Sequence, residues 1–376
     1  MTDDHAAKPT AGRILVDMTH CGRRTTGLER IAQELFSPLA LAPLPVEAVT
    51  ARDRYRMVLQ QIAGLPAAGL MDRRAIILCP GFPPSLPLTV LGWRVLPYIH
   101  DLFLLTRAAD LNPRAKLYMV PSFRRAVRTL PRFLVNSEHT RAELQRFCRP
   151  DAEITLYRPR VRNVFDLAPG ARAEAVPVPG RLDLVALGTV EPRKNLGAAA
   201  AILTALRSTG FPEARLHVVG RAGWGPDAER LRATPGVILH GYQERAQVRA
   251  LLGSADALIS TSHDEGLGLP LLEAQFAGLT VIAPDATVFR EVLGTSGLLI
   301  DPADAAASAR RIGTWAEERS ARAAQVTLAA SNLDRWNRLA ESDRGRVIAL
   351  VAALAERAAR GQPAPLRLPV ETPQGH

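Results

Sequence analysis

Ser262-His-Asp-Glu-Gly-Leu-Gly-Leu-Pro-Leu-Leu-Glu-Ala-Gln-Phe-Ala-Gly278 is the stretch whose reading decides the fold. It follows an apolar run at 257–260 that reads as a strand, and it opens a helix: Pro270 suits a first helical turn and Gly278 an exit. Gly266 and Gly268 let backbone amides approach a ligand closely, and the helix start behind them presents unpaired N–H groups with partial positive charge. That combination suits a phosphate. Glu265 precedes the loop, where a carboxylate accepts hydrogen bonds from sugar hydroxyls. Glu273 follows eight residues later, where a first-turn carboxylate reaches the paired hydroxyls of a ribose. Spacing alone fits equally well a glycine-bounded turn of any doubly wound domain, with both acids in solvent.

Outward from this loop, the residues alternate between strand-like and helix-like runs. Residues 182–190 form a nearly continuous apolar strand, 196–206 a helix, and 216–219, 237–240, 280–283 and 297–300 further short strands. This predicts a doubly wound parallel domain over 182–335. After Asp301 the chain reads as helical to about Arg360, with Val347, Leu350, Val351 and Leu354 at helical spacing. Residues 166–181 (DLAPGARAEAVPVPGR) have the composition of a linker, and 361–376 that of a loose tail. The N-terminal portion, 1–165, repeats the α/β alternation with strands at 13–19, 75–79, 94–99 and 132–135. Its first helix spans 27–36, and Thr26 and Glu29 have capping-box spacing. A length of 376 residues exceeds one ordinary core and favours two domains.

No apolar run approaches the length of a membrane-spanning helix, and the opening MTDDHAAKPTAG has neither the basic start nor the apolar stretch of a secretory signal. A cytoplasmic location is therefore expected. Cys21, Cys79 and Cys148 are odd in number and widely spaced, which argues against a disulfide framework or a zinc site. The net charge of +10 is carried by the N-terminal half: residues 1–165 hold 24 Lys+Arg against 14 Asp+Glu, whereas 166–376 hold 23 against 23. Arg114, Lys116, Arg124, Arg125, Arg128 and Arg132 surround a partly apolar helix with Leu117, Tyr118, Met119, Val120 and Phe123. It reads either as a contact with an anionic membrane or as an ordinary solvated arginine face. Nucleic acid is not the expected partner, because only Tyr118 and Phe123 lie among these cations as stacking platforms.

A second chemical motif, Gly188-Thr-Val-Glu-Pro-Arg-Lys-Asn195, stands at the carboxyl end of the first strand of the C-terminal domain. Ligands in open α/β sheets bind at such strand ends, and Arg193 and Lys194 offer charge for a diphosphate. Only three lysines occur in the chain, and Lys194 is the sole one in its second half.

These residues resemble a family. Glu265 to Glu273 has the E-x7-E spacing, in an EGxGLPxLEA setting, of retaining glycosyltransferases of the GT-B fold, family 4. Gly188 to Asn195 is similar to the diphosphate-binding turn of that family, and Gly220-Arg-Ala-Gly-Trp-Gly225 and His240-Gly-Tyr242 to its next two strand ends. In the N-terminal half, Asp17 to Arg30 (ending TTGLER) resembles a subgroup that uses mannose or rhamnose donors. His100-Asp101 resembles the family's strand-end histidine, and Val135-Asn-Ser-Glu-His-Thr140 its VSxxT turn. The resemblance is dense over 182–302 and thinner before it. At the first loop the family often has two adjacent glycines, whereas here Thr25-Thr26 precedes Gly27.

The resemblance implies an α/β GT-B architecture: two Rossmann-like domains facing a cleft, with a C-terminal helix at 336–360 crossing back to the first. It implies a retaining hexosyltransferase in which Arg193 and Lys194 neutralise the leaving diphosphate and Glu273 holds the ribose. Glu265 and the backbone of Gly266, Leu267, Gly268 and Leu269 would fix the donor sugar. Gly27, Gly188 and Gly220 would line the diphosphate, His100 would contact the sugar, and the backbone at Tyr242 would border the base. The subgroup points to GDP-mannose, with a UDP-hexose or dTDP-deoxysugar behind it, and to a saccharide or lipid-linked acceptor of bacterial surface polysaccharide. That would place the enzyme at the inner face of the cytoplasmic membrane. No DxD motif stands in a plausible donor loop, so no metal and no other cofactor is expected. A nucleotide-sugar epimerase, a phosphorylase and a basic non-enzymatic binding protein remain the alternatives.

Overall fold

The computed structural model describes residues 12–22, 27–107, 113–170 and 178–363. Thr25 and Thr26, with the capping box expected at Glu29, lie outside the described residues, as do 171–177 of the expected linker and the tail from 364. The chain divides into two compact units: Met1–Pro159 with Ala340–His376, and Arg160–Leu339.

The first unit carries six parallel strands: β1 (Ile14–Asp17), β2 (Val46–Val49), β3 (Ile76–Cys79), β4 (Val95–Ile99), β5 (Arg132–Val135) and β6 (Glu153–Leu156), in the order β2-β1-β3-β4-β5-β6. β1, β3, β4 and β5 are buried along their whole length, β3 and β4 as unbroken apolar runs and β1 and β5 as apolar runs ending in Asp17 and beginning with Arg132. β2 and β6 carry Glu47 and Glu153 on partly exposed edges, and this interruption hides them from a reading of apolar runs. Their carboxylates are used: Glu47 pairs with Arg13 at 2.6 Å, and Glu153 with Arg132 at 2.8 Å.

The second unit holds β7 (Asp183–Leu187), β8 (Arg215–Val219), β9 (Val237–Gly241), β10 (Ala257–Ile259), β11 (Thr280–Pro284) and β12 (Gly297–Ile300), also all parallel, ordered β12-β11-β10-β7-β8-β9. The first strand in sequence thus lies in the middle, and the winding reverses between β7 and β10. Helix Leu196–Ser208 buries Leu196, Ile202, Leu203 and Leu206 against this sheet, and helix Ala305–Glu317 adds Ile312 and Trp315.

Helix Arg319–Ala359 runs for 41 residues and is divided between the units at Leu339 and Ala340. Its last part completes the first unit. Val347, Val351 and Leu354 are fully buried there, and Asp343 is 0% exposed. The Asp343 carboxylate accepts from the Arg158 guanidinium at 2.8 Å, from the Arg158 backbone N–H at 3.2 Å, and from Arg346. Nearby, the Tyr157 hydroxyl donates to the Leu35 carbonyl at 2.6 Å, and the Phe36 ring meets Tyr98 and Tyr157 edge-on.

An Asp343→Ala substitution leaves the Arg158 side chain, 6% exposed, without its main counter-charge. Urea unfolding is expected to show a loss of about 3–5 kcal/mol. A loss as small as that of an exposed ion pair would show that this contact does not hold the C-terminal helix.

Candidate functional site

In an open parallel sheet, the loops leaving two adjacent strands in opposite directions open a crevice at their carboxyl ends. In the second unit that place is between β7 and β10, and the two motifs singled out from sequence are the loops that leave these strands.

The loop after β7 begins at Gly188, whose φ of +133° is open to glycine. Gly220, at the end of β8, packs so closely that a Cβ there would lie 1.9 Å from the Gly188 carbonyl oxygen. Pro192–Lys194 then forms one 3-10 turn, and Asn195 in the left-handed region (φ 48°) redirects the chain into helix Leu196–Ser208. The loop after β10 is stitched to it. The Thr261 hydroxyl donates to the Asn195 carbonyl at 2.8 Å, and the His263 N–H to the Arg193 carbonyl at 3.0 Å. Gly268, with φ +79°, leads into helix Leu269–Gln275, where Pro270 sits in the first turn. The Gly278 N–H caps the Gln275 carbonyl at 2.9 Å.

Glu265 joins the two loops chemically. Its carboxylate accepts from Lys194 Nζ at 2.5 Å, from Arg193 Nη1 at 2.8 Å and from the Ser262 hydroxyl at 2.8 Å. Arg193 also donates from Nη2 to Glu191 at 2.7 Å. Burial alone would raise the Glu265 carboxyl, but the charges of Lys194 and Arg193 outweigh it and hold the pKa below the ordinary carboxylate value. For Arg193, burial pulls downward and the Glu265 and Glu191 carboxylates raise the guanidinium above its usual value. Both groups are therefore fixed in their charged forms.

The acids are not solvated: Glu265 is 9% exposed and Glu273 4%. Leu267 and Leu269 are buried beside them. The Tyr242 side chain is exposed, follows Gly241 with φ +68°, and carries the Arg221 guanidinium 5.0 Å above its ring. Sequence reading passed over Ser262 and Glu191 as polar members of the site. A serine three residues before Glu265, and an acid two residues before Arg193, were the available signals.

His100 and Gly27 belong to the first unit. Gly27 opens helix Gly27–Phe36, and among the described residues no atom lies within 4 Å of a Cβ built on it. His100 follows β4 and stands edge-on to Tyr98 at 4.7 Å. Its Nε2 lies 2.7 Å from the Pro80 carbonyl oxygen, which only accepts, so Nε2 carries the hydrogen and Nδ1 the lone pair of the neutral ring. The Asn136 amide, from the turn after β5, donates to the His100 carbonyl at 2.8 Å. Ser137 caps the following helix through the Thr140 N–H at 3.0 Å. Burial lowers the His100 pKa to about 4, against the raising effect of the Pro80 hydrogen bond and with a further lowering by His20.

Two doubly wound parallel sheets, with a buried carboxylate and paired cations at the switch point of the second, define the GT-B class of α/β proteins. Residues 181–318, within the second unit, match the family described as glycosyl transferases group 1. The chain is 27% identical over 247 residues to the O-antigen chain mannosyltransferase B of Escherichia coli, a match covering 61% of this chain and 64% of that protein. It thus spans less than two thirds of that relative's length. Among solved structures it superposes on a sucrose-phosphate synthase from Thermosynechococcus elongatus with a TM-score of 0.66, at 18% identity, covering 91% of this chain and 99% of the other. The Anabaena protein Alr3699/HepE, solved in complex with UDP and glucose, gives 0.65 at 15% identity, covering 91% and 99%.

Because unfolded histidine binds its proton near pH 6.5 and His100 only near 4, the unfolded state holds more protons between these values, and stability falls as the pH drops through them. The loss is expected to reach about 3 kcal/mol. Denaturation of a His100→Gln variant at a series of pH values should show a shallower slope in this window. An unchanged slope would place the acid sensitivity elsewhere.

Proposed function

We propose that this protein is a retaining, metal-independent glycosyltransferase, moving a hexose from a nucleoside diphosphate sugar to a saccharide or lipid-linked acceptor. The observation that carries this reading is the Glu265 carboxylate held by Lys194 and Arg193 at the sheet's switch point. When the bond between anomeric carbon and phosphate breaks, negative charge grows on the diphosphate. Cations already locked in direction stabilise it without reorganising at that moment, as a bound metal would in other enzymes. Glu265 and Glu191 supply the locking, and Glu265 keeps an acceptor surface for sugar hydroxyls. We assign Glu273 to the ribose, the backbone from Gly266 to Leu269 with Gly188 and Gly220 to the phosphates and sugar, and the backbone at Tyr242 to the base. His100, neutral at physiological pH, is assigned to the transferred sugar, and Gly27 to the diphosphate. Retention follows from attack of the acceptor on the face the diphosphate leaves, with catalysis by positioning.

The mannosyltransferase named above supports a mannose donor and a place in surface polysaccharide synthesis, and we assign GDP-mannose as the first donor and the cytoplasmic side as the place of reaction. The UDP of the Anabaena neighbour is the competing base. A thermal-shift panel of GDP, UDP, dTDP and ADP, in chelator, is expected to show a rise with one nucleotide. Loss of that rise in a folded Lys194→Ala, Arg193→Ala, Glu265→Gln, Glu191→Gln variant, which removes both cations together with the carboxylates that pair with them, would support the site. With the matching donor, Lys194→Ala alone should lower kcat by about 100-fold or more. A folded protein that responds to no nucleotide, or only with a divalent ion, would defeat the reading.

A further inference from the structure

Between Asp110 and Glu138 the sequence contains no acidic residue but carries Arg114, Lys116, Arg124, Arg125, Arg128 and Arg132. Most of this stretch is helix Pro113–Thr129, which turns Phe123, Ala126 and Val127 into the first unit's core. Its outer face has two halves. Leu117 (83% exposed) and Tyr118 stand bare near the start, and Arg124, Arg125 and Arg128 near the end. The end of the next helix, Glu138–Gln145, brings Arg146 and half-exposed Phe147 beside Arg124 and Arg128. These enclose a notch of about 270 Å³ whose apolar wall is Leu105, Val127 and Phe147. A second hollow of about 370 Å³ lies on the other side of Arg124 and Arg128, against Val120 and Pro121.

Neighbouring arginines are paired within the fold: Arg132 with Glu153, Arg141 with Glu138, Arg149 with Asp151. Arg124, Arg128 and Arg146 form no ion pair with any described residue. Three guanidiniums left uncompensated around an apolar notch are built for a bidentate anion carried on an apolar body. The helix lies between parallel strands β4 and β5, so it runs back along the sheet and its arginine end reaches the amino-terminal edge. His100 stands at the opposite, carboxyl edge of the same sheet, so the arginine cluster is separate from the residues assigned to the sugar, while Leu117 and Tyr118 at the helix start lie toward the carboxyl edge.

We propose that this face docks the protein on an anionic phospholipid bilayer. Arg124, Arg128 and Arg146 take lipid phosphates, while Leu117, Tyr118 and Phe147 enter the boundary between headgroups and acyl chains. Charge complementarity favours the bilayer, because exposed leucine beside unpaired arginine suits a surface that is at once anionic and apolar. Nucleic acid would call for aromatic platforms interleaved with the cations, and the arginine cluster has only Phe147.

The test is flotation of the full chain with vesicles of phosphatidylcholine alone and with added phosphatidylglycerol, at low and high salt. Binding to the anionic vesicles only, weakened by salt, is expected. An Arg124→Gln, Arg128→Gln, Arg146→Gln variant should lose about a hundredfold in affinity, and Leu117→Ser should weaken binding while leaving its salt dependence in place. The triple variant changes exposed side chains, so its melting temperature and nucleotide response should match the wild type, which separates failure here from failure of the glycosyltransferase reading. Absence of vesicle binding, equal binding to neutral vesicles, or an unaffected triple variant would overturn the proposal. So would displacement from anionic vesicles by an equal concentration of single-stranded oligonucleotide phosphate.

Discussion

A carboxylate shared by two cations organises the second unit. Glu265 comes from the loop after one central strand and Lys194 and Arg193 from the loop after its neighbour, so their contact closes the switch point from both sides. Glu265 and Arg193 are buried enough that, alone, either would be costly to keep charged, and the opposite charges around them outweigh that cost. The glycines follow from this. Gly188 and Gly220 allow the turn before Pro192 to pack against the end of β8, which sets where the Lys194 ammonium can reach. The hydrogen bonds from Thr261 and His263 fix the loops' backbones in the same register. The directions of both cations are thus already determined by the fold.

Much of this was legible in the residues. Unbroken apolar runs marked the central strands of both sheets, because a strand buried on two faces has no reason to alternate. Pro270 and Gly278 marked a helix entry and an exit turn. The edge strands of the first sheet were not legible, unlike those of the second: Val46–Val49 and Glu153–Leu156 mix acids with apolar residues, and only their pairing with β1 and β5 makes them strands. The apolar run expected at 182–190 is shorter as a strand, ending at Leu187. Val190 instead makes an isolated bridge to Ala222, a long-range contact that local pattern cannot announce.

Within the site, the sequence offered residue types and spacings but not partners. Arg193, Lys194 and Glu265 were identified separately, as a charge pair and an acid 71 residues beyond Lys194. Their direct contact is a property of strand order, which places β10 next to β7 although two strands intervene in sequence. Ser262 and Glu191 were missed for the same reason, since each matters only through what it touches. The reading of Glu265 and Glu273 as solvated acids fails because helix Leu269–Gln275 buries six of its seven residues, Glu273 among them, and Lys194, Arg193 and Ser262 enclose Glu265.

The first unit is discontinuous in sequence: it begins the chain, gives way to the second unit at Arg160, and is resumed at Ala340. This has a consequence for biosynthesis. As the chain leaves the ribosome, Arg158 emerges long before Asp343, the acid that neutralises it, and the cavity later filled by Val347, Val351 and Leu354 stays open. The second unit, contiguous from Arg160 to Leu339, has all its strands available earlier. The order of maturation is then the reverse of the order of synthesis, with the first half to be made the last to close.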